Sequence, residues 1–169
     1  MIKHTYEEKG VLSFADYSKC YTYRYSLKRI WQTDGPRVVF VMLNPSTATE
    51  IQNDPTVERC ERRSRCLGYG SFCVTNIFAL RETDPKKMIS ASNPVGSEND
   101  DAILGACNWG DEIIAAWGNN GMHMNRGEAV KNLLKLGKKP IYHLGLTKGG
   151  YPRHPLYISY RQKPILWDI

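Results

Sequence analysis

Four short stretches combine hydrogen-bonding side chains with chain-breaking residues. They are Asn44-Pro45-Ser46-Thr47, Thr75-Asn76, Trp117-Gly118-Asn119-Asn120-Gly121 and the polar run "GLTKGGYPRHPLYIS" at 145–159, which contains His154. Each carboxamide offers a donor and an acceptor together, so Asn44 and Asn76 suit a neutral, planar ligand rich in heteroatoms. Arg59 and Arg63 have no acid four residues away in their helical stretch and are free to face phosphate. Lys148 sits in "TKGG", a candidate anion-binding nest. Plainer readings stand beside these. Asn44 before a proline also starts a turn, Asp54 also caps a helix, and Trp117 also fills a core. Gly118 and Gly121 also just permit positive φ, His154 also serves structure, and the two arginines also make a solvated basic face.

The elements that must position these residues are legible. Apolar runs at 38–43, 71–76, 112–116 and 140–144 lack clean alternation, as strands covered on both faces do. Helical patterns lie between them. Asp54 caps and Pro55 opens a helix to about Leu67, with Val57, Cys60, Ser64 and Leu67 on its core face. Asp84-Pro85 opens a short helix, and two more are expected over 97–107 and 126–136. The segment "YTYRYSLKRIW" within 11–31 alternates like a hairpin or edge pair. The order β-α-β-α-β-α-β implies a three-layer α/β/α sandwich with a central four-stranded, mainly parallel sheet, plus the N-terminal hairpin or edge strands, in one domain spanning 1–169. Ligands of open α/β sheets bind beyond the carboxyl ends of the strands, where all four polar stretches fall.

Composition narrows the function classes. The chain has 169 residues and a formal net charge of +6, a basic bias that suits a nucleic acid or nucleotide without requiring one. No run is long enough to span a bilayer and "MIKHTYEEKG" lacks a signal-peptide core, so a cytoplasmic protein with no membrane partner is expected. Five cysteines without CxxC spacing read as reduced thiols, with no metal site. No phosphate-binding P-loop, GxSxG, HExxH or Ser-His-Asp pattern occurs, and no cofactor is expected.

"VFVMLNPSTA", "NDPTVERC", "VTNIFALRETDP", "NPVGSENDDAI", "AAWGNNG" and "TKGGYPRHPLY" occur in the order that characterises domain of unknown function 1643, a bacterial and phage family, and the chain resembles it over roughly 12–160. That resemblance implies no particular activity. The motif order is also similar, more distantly, to the uracil-DNA glycosylase superfamily. There a first strand ends in a water-positioning motif, Gly-Gln-Asp-Pro-Tyr-His or Gly-x-Asn-Pro-Gly, a second in a base-reading asparagine, and a late loop in His-Pro-Ser-Pro-Leu-Ser. The resemblance implies that Asn44 positions water, Asn76 reads the base and His154 stabilises the departing base. Asp54 is a further candidate catalytic carboxylate. Pro45, Ser46, Thr47, Trp117, Gly118, Lys148, Tyr151 and Arg153 are the expected substrate contacts. Arg59, Arg63 and Arg81 are the expected contacts to a nucleic-acid backbone.

Cleavage of an N-glycosidic bond passes through an oxocarbenium-like sugar while the base leaves as an anion. The protein must place water on one face and donors at the base oxygen. A base in duplex DNA must first be flipped out. Three departures qualify the resemblance. Ser46 replaces a bulky tyrosine and leaves space for a substituent on a pyrimidine C5. Asn44 is a weaker base than aspartate, which predicts slow hydrolysis or different chemistry. The last motif is out of register, so either Tyr151 or His154 aligns with the histidine. The leading expectation is nucleobase recognition with N-glycosidic cleavage, in DNA or a nucleotide. The alternatives are a non-catalytic module that binds nucleotides or modified DNA, and a transferase in DNA base modification.

Overall fold

A computed structural model describes all residues, 1–169. The strands are β1 (Ile2–Glu8), β2 (Val11–Tyr17), β3 (Arg24–Ile30), β4 (Arg37–Met42), β5 (Ser71–Asn76), β6 (Glu112–Ala116), β7 (Ile141–His143) and β8 (Ile165–Leu166). The helices are α1 (Pro55–Cys66), α2 (Pro85–Ser90), α3 (Asn99–Trp109) and α4 (Arg126–Leu136).

The strands form one sheet in the order β1-β2-β3-β5-β4-β6-β7-β8. This corrects the expectation of a central four-stranded, mainly parallel sheet. The sheet has eight strands and is mixed: β1–β2, β2–β3, β3–β5 and β7–β8 pair antiparallel, whereas only β4–β5, β4–β6 and β6–β7 pair parallel. The N-terminal strands are part of this sheet because Leu27–Ile30 of β3 ladder directly onto Ser71–Val74 of β5. Lys9 (φ 49) and Gly10 (φ 77) turn β1 into β2, the doubly positive geometry whose twist matches a two-residue hairpin. β1 was hidden in the sequence because an edge strand exposes alternate residues and carries charge rather than an apolar run.

Two apolar layers hold the sheet. On one face Val39, Val41, Cys73 and Ile113 pack with Ile103 and Cys107 of α3 and Val130 and Leu134 of α4. On the other, Val38, Phe40, Phe72, Val74 and Ile114 pack with Val57 and Cys60 of α1. Burial on both faces accounts for the near-continuous apolar runs of β4, β5 and β6. No helix is long and apolar enough to cross a membrane.

Candidate functional site

The carboxyl ends of β4 and β6, the start of α1 and the turn after Arg153 meet around one cleft. Beyond Met42 the chain turns at Asn44, whose Nδ2 donates to the carbonyls of Glu82 at 2.6 Å and Pro45 at 3.1 Å. Two acceptors on the nitrogen fix the orientation of the amide and leave Oδ1 as the atom available to a ligand or water. The Pro45 carbonyl also accepts from Glu82 N at 2.9 Å, so this turn is strapped to the segment that precedes α2.

The rest of the 44–54 loop is held by the antiparallel extension. The buried Arg24 of β3 donates to Ala48 O at 2.7 Å, and Arg29 donates to Thr49 O at 2.6 Å. Glu50 accepts from Tyr17 Oη at 3.0 Å and bonds His4 at 3.1 Å. Burial, followed by the bond to Glu50, pushes the Tyr17 phenol up to about 12. Desolvation brings the Arg24 guanidinium down to about 10, which leaves it charged at neutral pH. Charge-assisted bonds of this kind contribute about 1.5–3 kcal/mol each.

Asp54 ends the loop and begins α1. Oδ1 accepts from Thr56 N at 3.0 Å and Val57 N at 2.9 Å, and Oδ2 accepts from Ala48 N at 3.3 Å. The cap reading and the site reading of Asp54 are therefore compatible, because the carboxylate caps the helix and also lines the cleft.

His154 faces the cleft from the turn Pro155–Tyr157, where its Nδ1 accepts from Leu156 N at 3.4 Å. An accepting Nδ1 assigns the neutral ring's proton to Nε2. Burial drives the imidazole pKa down to about 4 against a smaller opposing pull from Asp54, so the ring is neutral at pH 7 and Nε2 is a donor. The turn is anchored from α1. Arg59 Nε donates to Pro155 O at 3.2 Å, and Arg63 donates to Gln162 O at 2.6 Å and Ser159 O at 3.0 Å.

The cleft encloses roughly 670 Å³. Of the residues expected from sequence, Asn44, Ser46, Asp54, Trp117, Gly118 and His154 line it. Trp117 does so at its margin only. It is 2% exposed, and a Cβ on Gly121 would stand 2.2 Å from its ring, so the indole is packed into the core rather than presented as a stacking platform. Gly118 has φ 72 and a space on its side-chain face that first meets His154 Cβ at 3.9 Å.

Other expected residues lie elsewhere. Asn76 does not line the cleft. It is 1% exposed and continues the alternation of Phe72 and Val74 toward the α1 face, with both its Nδ2 and its Oδ1 unpartnered. Arg63 is 2% exposed, and both Arg59 and Arg63 bind backbone carbonyls, so neither is turned outward for a phosphate backbone. Pro45 is buried and acts through its carbonyl. Lys148 and Arg153 are exposed and do not line the cleft, and Tyr151 packs against the core. Thr47 and Arg81 line a neighbouring concavity.

The cleft also recruits Leu43, Pro55, Thr56, Glu82, Thr83, Pro85, Asn119, Asn120, Leu156 and Tyr157. Glu82 and Thr83 carry the least sequence signal, a Thr-Asp-Pro helix start that marks a boundary and no chemistry. Tyr157, 88% exposed at the mouth, is the most exposed large hydrophobic side chain.

Comparison with curated proteins and with solved structures returns no match to the chain. A family model does match, over residues 24–156, which span β3 through the His154 turn. The chain belongs to the family described as "Protein of unknown function (DUF1643)".

Proposed function

We propose that the cleft binds a nucleobase and that the protein cleaves its N-glycosidic bond. The observation that supports this most is that Asn44, whose amide nitrogen is held so that Oδ1 is the free acceptor, His154, whose neutral ring carries its proton on Nε2, and Asp54 line one cleft. The similarity of "MLNPS" and "YPRHPLYIS" to the glycosylase motifs supports the same reading. Water held by Asn44 adds its oxygen to C1′ and gives its proton to Asp54. The C1′–N bond breaks with its electron pair on the base, and His154 donates to the base oxygen that gathers this charge. Ser46 leaves room beside the ring for a C5 substituent.

The test uses purified protein on oligonucleotides carrying uracil, hydroxymethyluracil or other modified bases, with abasic sites read by alkaline scission. Asn44→Ala and His154→Ala are expected to fold and lose the product, and Asp54→Asn to keep its cap and lose rate. A folded protein that forms no abasic site on any of them overturns the hydrolytic reading. One observation favours binding without turnover. Asp54 already accepts three N–H groups and Asn44 is a poor base, so base-dependent binding without abasic product is the outcome of that second reading.

A further inference from the structure

On the side of the segment before α2, the cleft meets a second concavity of roughly 480 Å³. It is lined by Thr22, Thr47 and Arg81 among others and shares Ser46, Glu82 and Thr83 with the cleft. Arg81 is the one arginine or lysine that lines either concavity. The neighbouring arginines are occupied by the fold, since Arg24, Arg29, Arg59 and Arg63 all bind backbone carbonyls. Arg81 is used less fully. One nitrogen donates to Tyr21 O at 3.2 Å, the guanidinium lies 5.3 Å from the Tyr17 ring centre, and Nε is buried with no partner. It forms no ion pair.

Neither acid of the two concavities forms an ion pair with it, although Glu82 lines the same concavity. Glu82 Oε1 accepts from Thr83 N at 2.9 Å and Asp84 N at 3.1 Å, and Asp54, which lines only the larger cleft, is held by its three backbone donors. Arg81 is therefore the one cation lining the two concavities, without an ion pair and set among the hydroxyls of Thr22, Ser46, Thr47 and Thr83, while the Glu82 carboxylate in the same concavity is turned to its own backbone donors. Phosphate oxygens only accept hydrogen bonds, and a guanidinium with adjacent hydroxyls supplies the matching donors.

Building on the nucleobase reading above, we propose that the Arg81 concavity is a phosphate subsite, and that the ligand is a nucleotide whose phosphate lies there while its base lies between Asn44 and His154. The phosphate is a monoester in a free nucleotide or a diester in DNA, and the chemistry that recognises both is the same. The phosphate is assigned to the Arg81 end because the lining around Asp54 offers a carboxylate and no cation.

The test is calorimetric titration of the full chain with inorganic phosphate, deoxyuridine, deoxyuridine monophosphate, their hydroxymethyl counterparts and a single-stranded oligonucleotide with one uracil. The nucleotide is expected to bind at least about tenfold more tightly than its nucleoside. Arg81→Gln is expected to abolish that preference and leave nucleoside affinity unchanged. Thr47→Val, at an exposed position, is expected to weaken the preference without a folding cost. A gain confined to the oligonucleotide assigns the subsite to a diester. Nucleoside and nucleotide binding equally overturns the phosphate subsite and leaves the base reading intact. Phosphate and every nucleotide binding alike, whatever the base, supports the subsite and overturns the base reading. No phosphate-dependent binding by any probe overturns the subsite.

Discussion

Asn44 and Glu82, separated by 38 positions in the chain, are joined at 2.6 Å by a bond from the carboxamide nitrogen to the backbone carbonyl. The amide is required for this bond. A carboxylate in its place would oppose the Glu82 and Pro45 carbonyl oxygens with an oxygen of its own. The sequence argument that aspartate is the stronger base therefore does not carry over to this position.

Asn44→Asp is expected to lower stability by about 1–3 kcal/mol at pH 7 without raising the rate of any base release. Its carboxyl titrates above the ordinary carboxylate range, because the protonated form can still donate to Glu82. The folded state then holds the proton more tightly than the unfolded chain. The defect is small below the unfolded pKa of ~4 and grows as pH rises through the folded value. Urea midpoints of the variant and the parent across pH check this, and a variant as stable as the parent at every pH contradicts it.

His154 makes an opposite prediction. Its folded pKa lies near 4, below the ordinary 6.5, chiefly because the ring is desolvated. The unfolded chain therefore binds the extra proton between these values. Stability is flat in this group above pH 6.5 and falls as the pH drops toward 4, by about 3 kcal/mol at most. His154→Gln removes that part of the acid sensitivity. Imidazole resonances that stay neutral at pH 5.5 agree with this, and titration of His154 near 6.5 contradicts it.

Asn76 separates stability from recognition. Both polar atoms of its side chain are buried without partners, an arrangement that costs about 1–3 kcal/mol. Asn76→Leu is expected to raise the denaturation midpoint and, because the side chain does not line the cleft, to leave base-dependent binding unchanged. A variant that loses stability assigns the amide a structural role instead.

Arg63 holds the His154 turn. Arg63→Ala leaves the carbonyls of Ser159 and Gln162 without their donor and that of Ile158 with Arg59 alone, and is expected to cost about 2–4 kcal/mol. Amide exchange should quicken first over 155–162. Arg63→Lys is expected to recover only part of the loss, since an ammonium cannot reproduce the planar fork. Uniform exchange across the chain would show that the anchor is not local.

Much of the scaffold is legible in the chain itself. The apolar runs ending at Met42, Asn76 and Ala116, the Asp54-Pro55 helix start and the polar residues beyond the strands all follow from short-range rules of burial, capping and turn chemistry. Asn44, Asp54, Gly118 and His154 could be singled out from type and position, and they line one cleft. Long-range pairing could not be read this way. The junction of β3 with β5, which turns a parallel core into a mixed eight-stranded sheet, depends on backbone groups that carry no sequence label. The same is true of the guanidiniums. Arg59 and Arg63 look free in the sequence because their acceptors are carbonyls some hundred positions away, whereas Arg81 keeps unmatched donors because the turn it joins supplies only one. Residue type determines which groups can bond, and only the tertiary arrangement decides which of them already have a partner.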